Sequence, residues 1–266
     1  MLPELDGPEF VTSTDGTSIA YWSGGTGPPL LLVHGAMSDH QRWRITGLLA
    51  PHRTVCAMDR RGRGRSGDAV DWSLDREVDD VVAVIDAIAA REDHAVDVLG
   101  HSLGGLLSLR AAAVTPHVHR LVLYEPAINE AAQPADLLDR MRQALAGGRP
   151  ADVVEMMMRE VVGMPEHEVA ALQSLPSWPS RVATAHTLPR EMGVALTWDP
   201  AEGGRVTAPT LLILGSDSPR FVHDATGLVE RALPDSRVVV LEGQQHVADQ
   251  LIPDEFARVV LEFLQR

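Results

Sequence analysis

Short apolar runs recurring along the chain constrain its fold more than any other feature. "PLLLVHG" (29–35), "TVCAMD" (54–59), "AVDVLG" (95–100), "RLVLYEP" (120–126), "PTLLILG" (209–215) and "RVVVLEG" (237–243) are rich in Val, Ile and Leu and stop at Gly, Asp or Pro. Each reads as a strand. The segments between them have helical period: Leu74, Val78, Val81, Val82, Ile85, Ile88 and Ala89 recur at three and four, which gives one buried face. Residues 103–114 and 254–265 pass the same test, the latter opened by Pro253. Continuous apolar strands separated by helices predict an α/β fold with a mostly parallel, doubly wound sheet covered on both faces. Upstream, "TSIAYWS" (17–23) alternates polar and apolar residues, as an antiparallel edge hairpin would.

This alternation breaks between about 127 and 205. There "ADLLDRMRQAL", "ADVVEMMMREVV", "EHEVAALQSL" and "RVATAHTLPREMGVAL" are all helical in pattern, punctuated by "AGGRP" and "LPSWPS". The expected organisation is a core of residues 1–126 and 206–266, with a helical cap, 127–205, inserted after the sixth strand. Met141, Met156, Met157, Met158, Met164 and Met192 lie in the cap. Methionine at helical spacing packs cores, and it also makes pliable pocket roofs.

Charge and composition remove whole classes of function. The chain has 266 residues and a net charge of −14, from 37 acidic and 23 basic side chains. That field disfavours nucleic acid, and it disfavours an anionic substrate unless arginines gather locally. Every basic residue is arginine, because the sequence contains no lysine. Schiff-base chemistry, pyridoxal phosphate attachment and a phosphate-loop lysine are excluded. The single cysteine, Cys56, reads as a buried small hydrophobe and can form no internal disulfide. "MLPELDGPEF" does not look like a signal peptide, and no apolar stretch is long enough to span a bilayer. The expectation is a cytoplasmic protein acting on a small molecule, with no membrane partner and no cofactor.

Gly100-His101-Ser102-Leu103-Gly104 is a G-x-S-x-G sequence lying between the strand "AVDVL" and the helix "LGGLLSLRAAAV". A serine there sits on a very tight turn, and glycines on either side remove the Cβ atoms that would clash. The turn lifts Ser102 Oγ above the sheet, at the amino end of a helix whose dipole favours negative charge.

With these residues in view, the chain resembles the α/β-hydrolase superfamily over nearly its whole length. "LLLVHGAM" resembles the oxyanion-hole strand end, "DRRGRGRSG" (59–67) the D-x-R-G-x-G-x-S loop, and "GHSLGG" the nucleophile elbow. "LLILGSDSP" resembles the strand that carries the acid, and "EGQQHVADQ" the loop that carries the base.

Ser102 needs a base, and the chain has 11 histidines. His101 is adjacent in sequence, but neighbouring side chains diverge in a tight elbow, so it reads as a pocket wall. His246 follows the last apolar strand in a Gly-containing loop at the same sheet edge, and it matches the superfamily's catalytic histidine. Asp217, after "LLILGS", would orient that imidazole and complete the order Ser, Asp, His. Glu125, in "LYEPA", is the competing acid, because some family members carry it there. The resemblance implies oxyanion donors at the backbone N–H of Ala36 and Leu103. His34 reads as structural. Met37, His101, Met157 and Trp178 are candidate pocket residues. "DRRGRGRSG" lacks the order of a nucleotide fingerprint and reads as a structural loop beside the oxyanion region. His117-x-His119 has no companion ligands, so no metal is expected.

Absences narrow the chemistry. Dehalogenases and epoxide hydrolases of this superfamily use an aspartate nucleophile, and the only tyrosines here, Tyr21 and Tyr124, lie outside the cap. Carbon–carbon bond hydrolases keep the serine triad, but many have asparagine before the serine and tryptophan after the histidine; here those residues are His101 and Val247. The reading is a serine hydrolase of an ester, lactone or thioester with a small, largely apolar substrate. A carbon–carbon hydrolase of diketones, or a non-catalytic receptor of the same fold, are the alternatives.

Overall fold

The computed structural model describes residues 5–128 and 134–265. Residues 129–133, near the start of the expected cap, lie outside the described residues. Eight strands form one sheet: β1 (Asp6–Thr12), β2 (Ser18–Gly25), β3 (Pro29–Val33), β4 (Thr54–Met58), β5 (Val96–His101), β6 (Val118–Tyr124), β7 (Thr210–Gly215) and β8 (Ser236–Leu241). Their order is β1-β2-β4-β3-β5-β6-β7-β8. β1 pairs antiparallel with β2, β2 antiparallel with β4, and all later pairs are parallel. This is the α/β-hydrolase architecture. The first arm of the hairpin, β1, has no clear signature in sequence, since Gly7 and Pro8 weaken its strand pattern; pairing with β2 creates it.

Helices α1 (Thr46–Leu49), α2 (Leu74–Glu92) and α3 (Leu103–Ala112) precede β6. Between β6 and β7 come α4 (Leu137–Ala146), α5 (Pro150–Met156), α6 (Glu166–Gln173), α7 (Trp178–Ala183) and α8 (Leu188–Met192), with no described strand among them. α9 (Arg220–Ala232), α10 (Ala248–Leu251) and α11 (Pro253–Leu264) complete the chain.

The two-residue period of a strand divides the sheet between two cores. From β3, Leu31 and Val33 enter the core shared with α2, α3 and the inserted helices. Leu30 and Leu32 enter the opposite core with Phe256, Val260 and Phe263 of α11. All five β3 residues are buried, as expected of a central parallel strand. Cys56 is buried in β4, where desolvation pushes its thiol up to about 11.

Candidate active site

Ser102 sits between β5 and α3 with φ 54° and ψ −124°. A non-glycine residue held there carries roughly 1–3 kcal/mol of backbone strain. Surrounding bonds enforce it: Ser102 N donates to Tyr124 O at 3.0 Å, and Ser102 O accepts from Gly105 N, Leu106 N and Ala127 N at 2.8, 3.1 and 3.0 Å. A Cβ on Gly104 would lie 2.3 Å from the Val33 carbonyl, so only glycine lets α3 start so close to β3. Among the described residues, Leu103 N donates to no acceptor.

His246 lies in the loop after β8, and three contacts hold that loop. The His101 ring is in contact with His246, their centroids 4.5 Å apart, and His101 Nε2–H donates to His246 O at 2.9 Å. Tyr124 Oη donates to Gln245 O and accepts from Ala248 N at 2.8 Å. Finally, His246 Nδ1 bonds Glu125 Oε2 at 2.7 Å. His101 Nδ1 accepts from Arg42. Burial, with Arg42 beside it, holds the His101 imidazole well below its ordinary pKa and therefore neutral. This buried pair of bonds makes His101 part of the support for His246 as well as a wall of the cavity.

The acid expected at Asp217 is not the one that meets the imidazole. Asp217 is exposed, and its Oδ1 accepts from its neighbour Ser216 Oγ at 2.8 Å. Glu125 is only 1% exposed. Its Oε1 accepts from Gly215 N at 2.9 Å and from Ser218 Oγ at 2.5 Å, leaving Oε2 for His246. The reason is positional. β6 and β7 are adjacent and in register, with Tyr124 opposite Ile213, so both carboxylates leave the sheet at the same edge. Glu125 takes φ 44°, and its side chain accepts donors from the β7 turn itself.

The loop after β3 lies against Ser102: a Cβ on Gly35 would be 3.0 Å from Ser102 Cβ. The Gly35 carbonyl accepts from His34 Nδ1 at 2.8 Å and Arg60 Nη1 at 3.1 Å. Because N–H and C=O point in opposite directions across a planar trans peptide, anchoring this carbonyl aims the Ala36 N–H away from the arginine. Among the described residues that N–H has no acceptor. The next carbonyl, of Ala36, accepts from Arg63 Nε at 3.1 Å and Nη2 at 2.9 Å. Arg60 pairs bidentately with Glu77 at 2.7 and 2.8 Å, and both arginines bond Glu191 of α8. Burial alone would lower the Arg60 pKa, but Glu77 and Glu191 outweigh it and raise it. "DRRGRGRSG" is thus a brace behind the loop after β3. His34, buried and beside these arginines, is held neutral, and its Nε2 accepts from Arg60 N at 3.1 Å.

Ser102 and His246 form the junction of two lobes of a cavity. One, of about 480 Å³, is mostly apolar, with Ile128, Met157, Val161 and Phe221 on its wall. The other, of about 420 Å³, runs past Ala36 and Met37 to Arg42, Arg181 and Gln250. Met37, His101 and Met157 therefore line the cavity, whereas Trp178 is on the wall of neither lobe and packs half-buried against the core.

The sequence matches the Alpha/beta hydrolase family over residues 30–259. The chain belongs to this family. Its fold is that of the crystal structure of an alpha/beta hydrolase from Sphaerobacter thermophilus DSM 20745, with a TM-score of 0.84 and 38% identity over 96% of this chain and 100% of that one. The 2-(acetamidomethylene)succinate hydrolase of Mesorhizobium japonicum is 26% identical, covering 90% of this chain and 89% of that protein. Lipase LipV of Mycobacterium tuberculosis is 30% identical over 58% of this chain; the match spans 53%, about half, of LipV's length.

In this α/β hydrolase, sequence reading missed Arg42, Arg181 and Asp249. Arg42 Nη2 bonds Asp249 Oδ1 at 2.6 Å, so the two hold the floor under His101 and the His246 loop. The available signal was a charged residue on an apolar helical face: Arg181 lies between Trp178 and Ala185 at spacings of three and four. Among the described residues, no helix is long and apolar enough to cross a membrane.

Proposed function

We propose that this hydrolase transfers the acyl group of a small ester, lactone or thioester to water, with Ser102 as nucleophile, His246 as general base and Glu125 as the acid that orients it. The observation that carries the reading is the 2.7 Å bond between His246 Nδ1 and the buried Glu125 carboxylate, beside a serine held at positive φ on the same cavity wall. With Nδ1 taken, Nε2 is the nitrogen left to accept the Ser102 proton. Attack on the carbonyl builds negative charge on its oxygen, which the Ala36 and Leu103 N–H groups are free to bind. His246 then protonates the leaving group and draws a proton from water, which releases the acid from the serine. The apolar lobe supports a substrate with a hydrocarbon portion.

A fluorophosphonate probe tests the nucleophile: wild type labels and Ser102→Ala does not. Absence of wild-type labelling sinks the reading. Turnover is then profiled on p-nitrophenyl esters, lactones and vinylogous diketones; hydrolysis of the diketones alone would move the assignment to carbon–carbon cleavage. On an ester substrate, Glu125→Gln lowers kcat by about 10⁴-fold, because the amide favours the wrong imidazole tautomer. Asp217→Asn changes kcat by less than about threefold, as expected of an exposed side chain outside the reacting set. The opposite ranking would restore Asp217 as the acid.

A further inference from the structure

The second lobe holds buried hydrogen-bond donors with nothing to bind. Arg181, on α7, is 5% exposed. Its Nη1 donates to Met37 O at 3.1 Å and more weakly to Ser38 Oγ at 3.5 Å, and its Nη2 donates to Gln250 Oε1 at 3.3 Å. All three acceptors are neutral, and among the described residues no carboxylate lies within ion-pair distance of Arg181. Asp249 bonds Arg42 through Oδ1, its Oδ2 being buried without a partner, and Asp39 accepts from Gln41 N at 2.9 Å. Desolvation, reinforced by neighbouring Arg42, pushes Arg181 down to about 10, so it stays charged at neutral pH.

Arg181 Nε, Arg42 Nε and Gln250 Nε2 are each buried without a partner, and all three residues line the same lobe. A buried cation left short of an anion, together with orphan donors, is an unfavourable arrangement for folding alone. It becomes favourable when a ligand supplies a negatively charged group with several lone pairs. The Met37 carbonyl that Arg181 grips is one residue past Ala36, so the guanidinium stands close to the expected oxyanion.

We infer that the Arg181 lobe binds a carboxylate of the substrate, which makes the substrate an anionic acyl compound with its apolar portion in the other lobe. The chain's net charge of −14 argues against an anionic ligand at long range, but a desolvated arginine at contact outweighs a screened surface field. The inference rests on Ser102 being the acyl acceptor proposed above, for that is what makes the lobe part of a substrate site.

Calorimetric titration tests it without requiring turnover. The probes are 4-phenylbutyrate and its neutral isostere 4-phenylbutyramide, with wild type, Arg181→Gln and Arg181→Lys. The carboxylate should bind wild type at least about tenfold more tightly than the amide. That preference should vanish in Arg181→Gln and return in part in Arg181→Lys. Equal affinity of wild type for the two probes, or no binding of either, overturns the inference; so does a preference that survives in folded Arg181→Gln. In turnover, 4-nitrophenyl hydrogen glutarate should be preferred over its methyl ester by wild type, and the ratio should fall at least about tenfold in Arg181→Gln. A merely structural Arg181 would lower both rates equally. Loss of Ser102 labelling would sink the hydrolase reading, whereas normal labelling without carboxylate preference would sink this one alone.

Discussion

The loop after β3, the proposed oxyanion loop, is flanked by two sets of buried arginines that treat charge in opposite ways. Behind the loop, Arg60 and Arg63 meet Glu77 and Glu191, two cations against two anions, and their remaining donors reach the Gly35 and Ala36 carbonyls. In front of it, Arg42 meets Asp249, while Arg181 has no carboxylate within ion-pair distance among the described residues. A matched cluster can hold a shape, since each charge has a geometric partner. An unmatched one keeps a charge in reserve for something that arrives later. The difference separates a charge-balanced scaffold from a charge-unbalanced cavity wall using the same residue type, in a chain that has no lysine to use instead.

Removing a member of the matched set should have the largest effect. Arg60→Met strands Glu77 in the core, leaves Glu191 with Arg63 alone, and is expected to destabilise the protein by about 3–5 kcal/mol in urea unfolding. A near-neutral result would mean that the cluster is not a brace. Glu191→Gln, which weakens the link from α8 to both arginines, should lose about 2 kcal/mol and lower kcat on any ester, because the Ala36 peptide loosens. An unchanged kcat would separate the brace from the oxyanion loop.

Each side also carries one neutral buried histidine, His34 behind and His101 in front. Their folded pKa values lie below the ordinary 6.5, so the unfolded chain binds more protons and stability rises with pH in that window. That stability is present above about 6.5 and lost on acidification, at up to about 1.4 kcal/mol per pH unit for each histidine and about 1 kcal/mol over the first unit. His101→Gln should remove one such share of the slope between pH 6.5 and 5.5; an unaltered slope would show that His101 does not titrate there. The smallest expected effect has the opposite sign. Arg181→Met removes an unmatched buried charge and should raise stability by about 1 kcal/mol, a few degrees in Tm, while losing carboxylate preference. Destabilisation comparable to that of Arg60→Met would erase the contrast between the two sides.

The positive-φ turn at Ser102 and the place of His246 were legible because local signals mark them: a glycine-flanked strand-to-helix turn for one, a loop after the last apolar strand for the other. Which carboxylate meets the His246 imidazole was not. Glu125 and Asp217 each end a neighbouring parallel strand, and motif order favours the second; only the packed register shows that Glu125 accepts Gly215 N and Ser218 Oγ and so faces His246. Arg181 was hidden for a similar reason, since its partners Met37 and Gln250 come from segments 144 and 69 residues away.

By itself, then, the sequence determined the alternating architecture, the inserted helices, the strained serine and the histidine opposite it, all of which follow from periodicity and local backbone sterics. Which carboxylate holds the imidazole, which arginines are neutralised and which one is left charged were decided by tertiary structure. Hydrogen-bond and ion pairing act over about 3 Å, and only the folded chain brings residues so distant in sequence within that range.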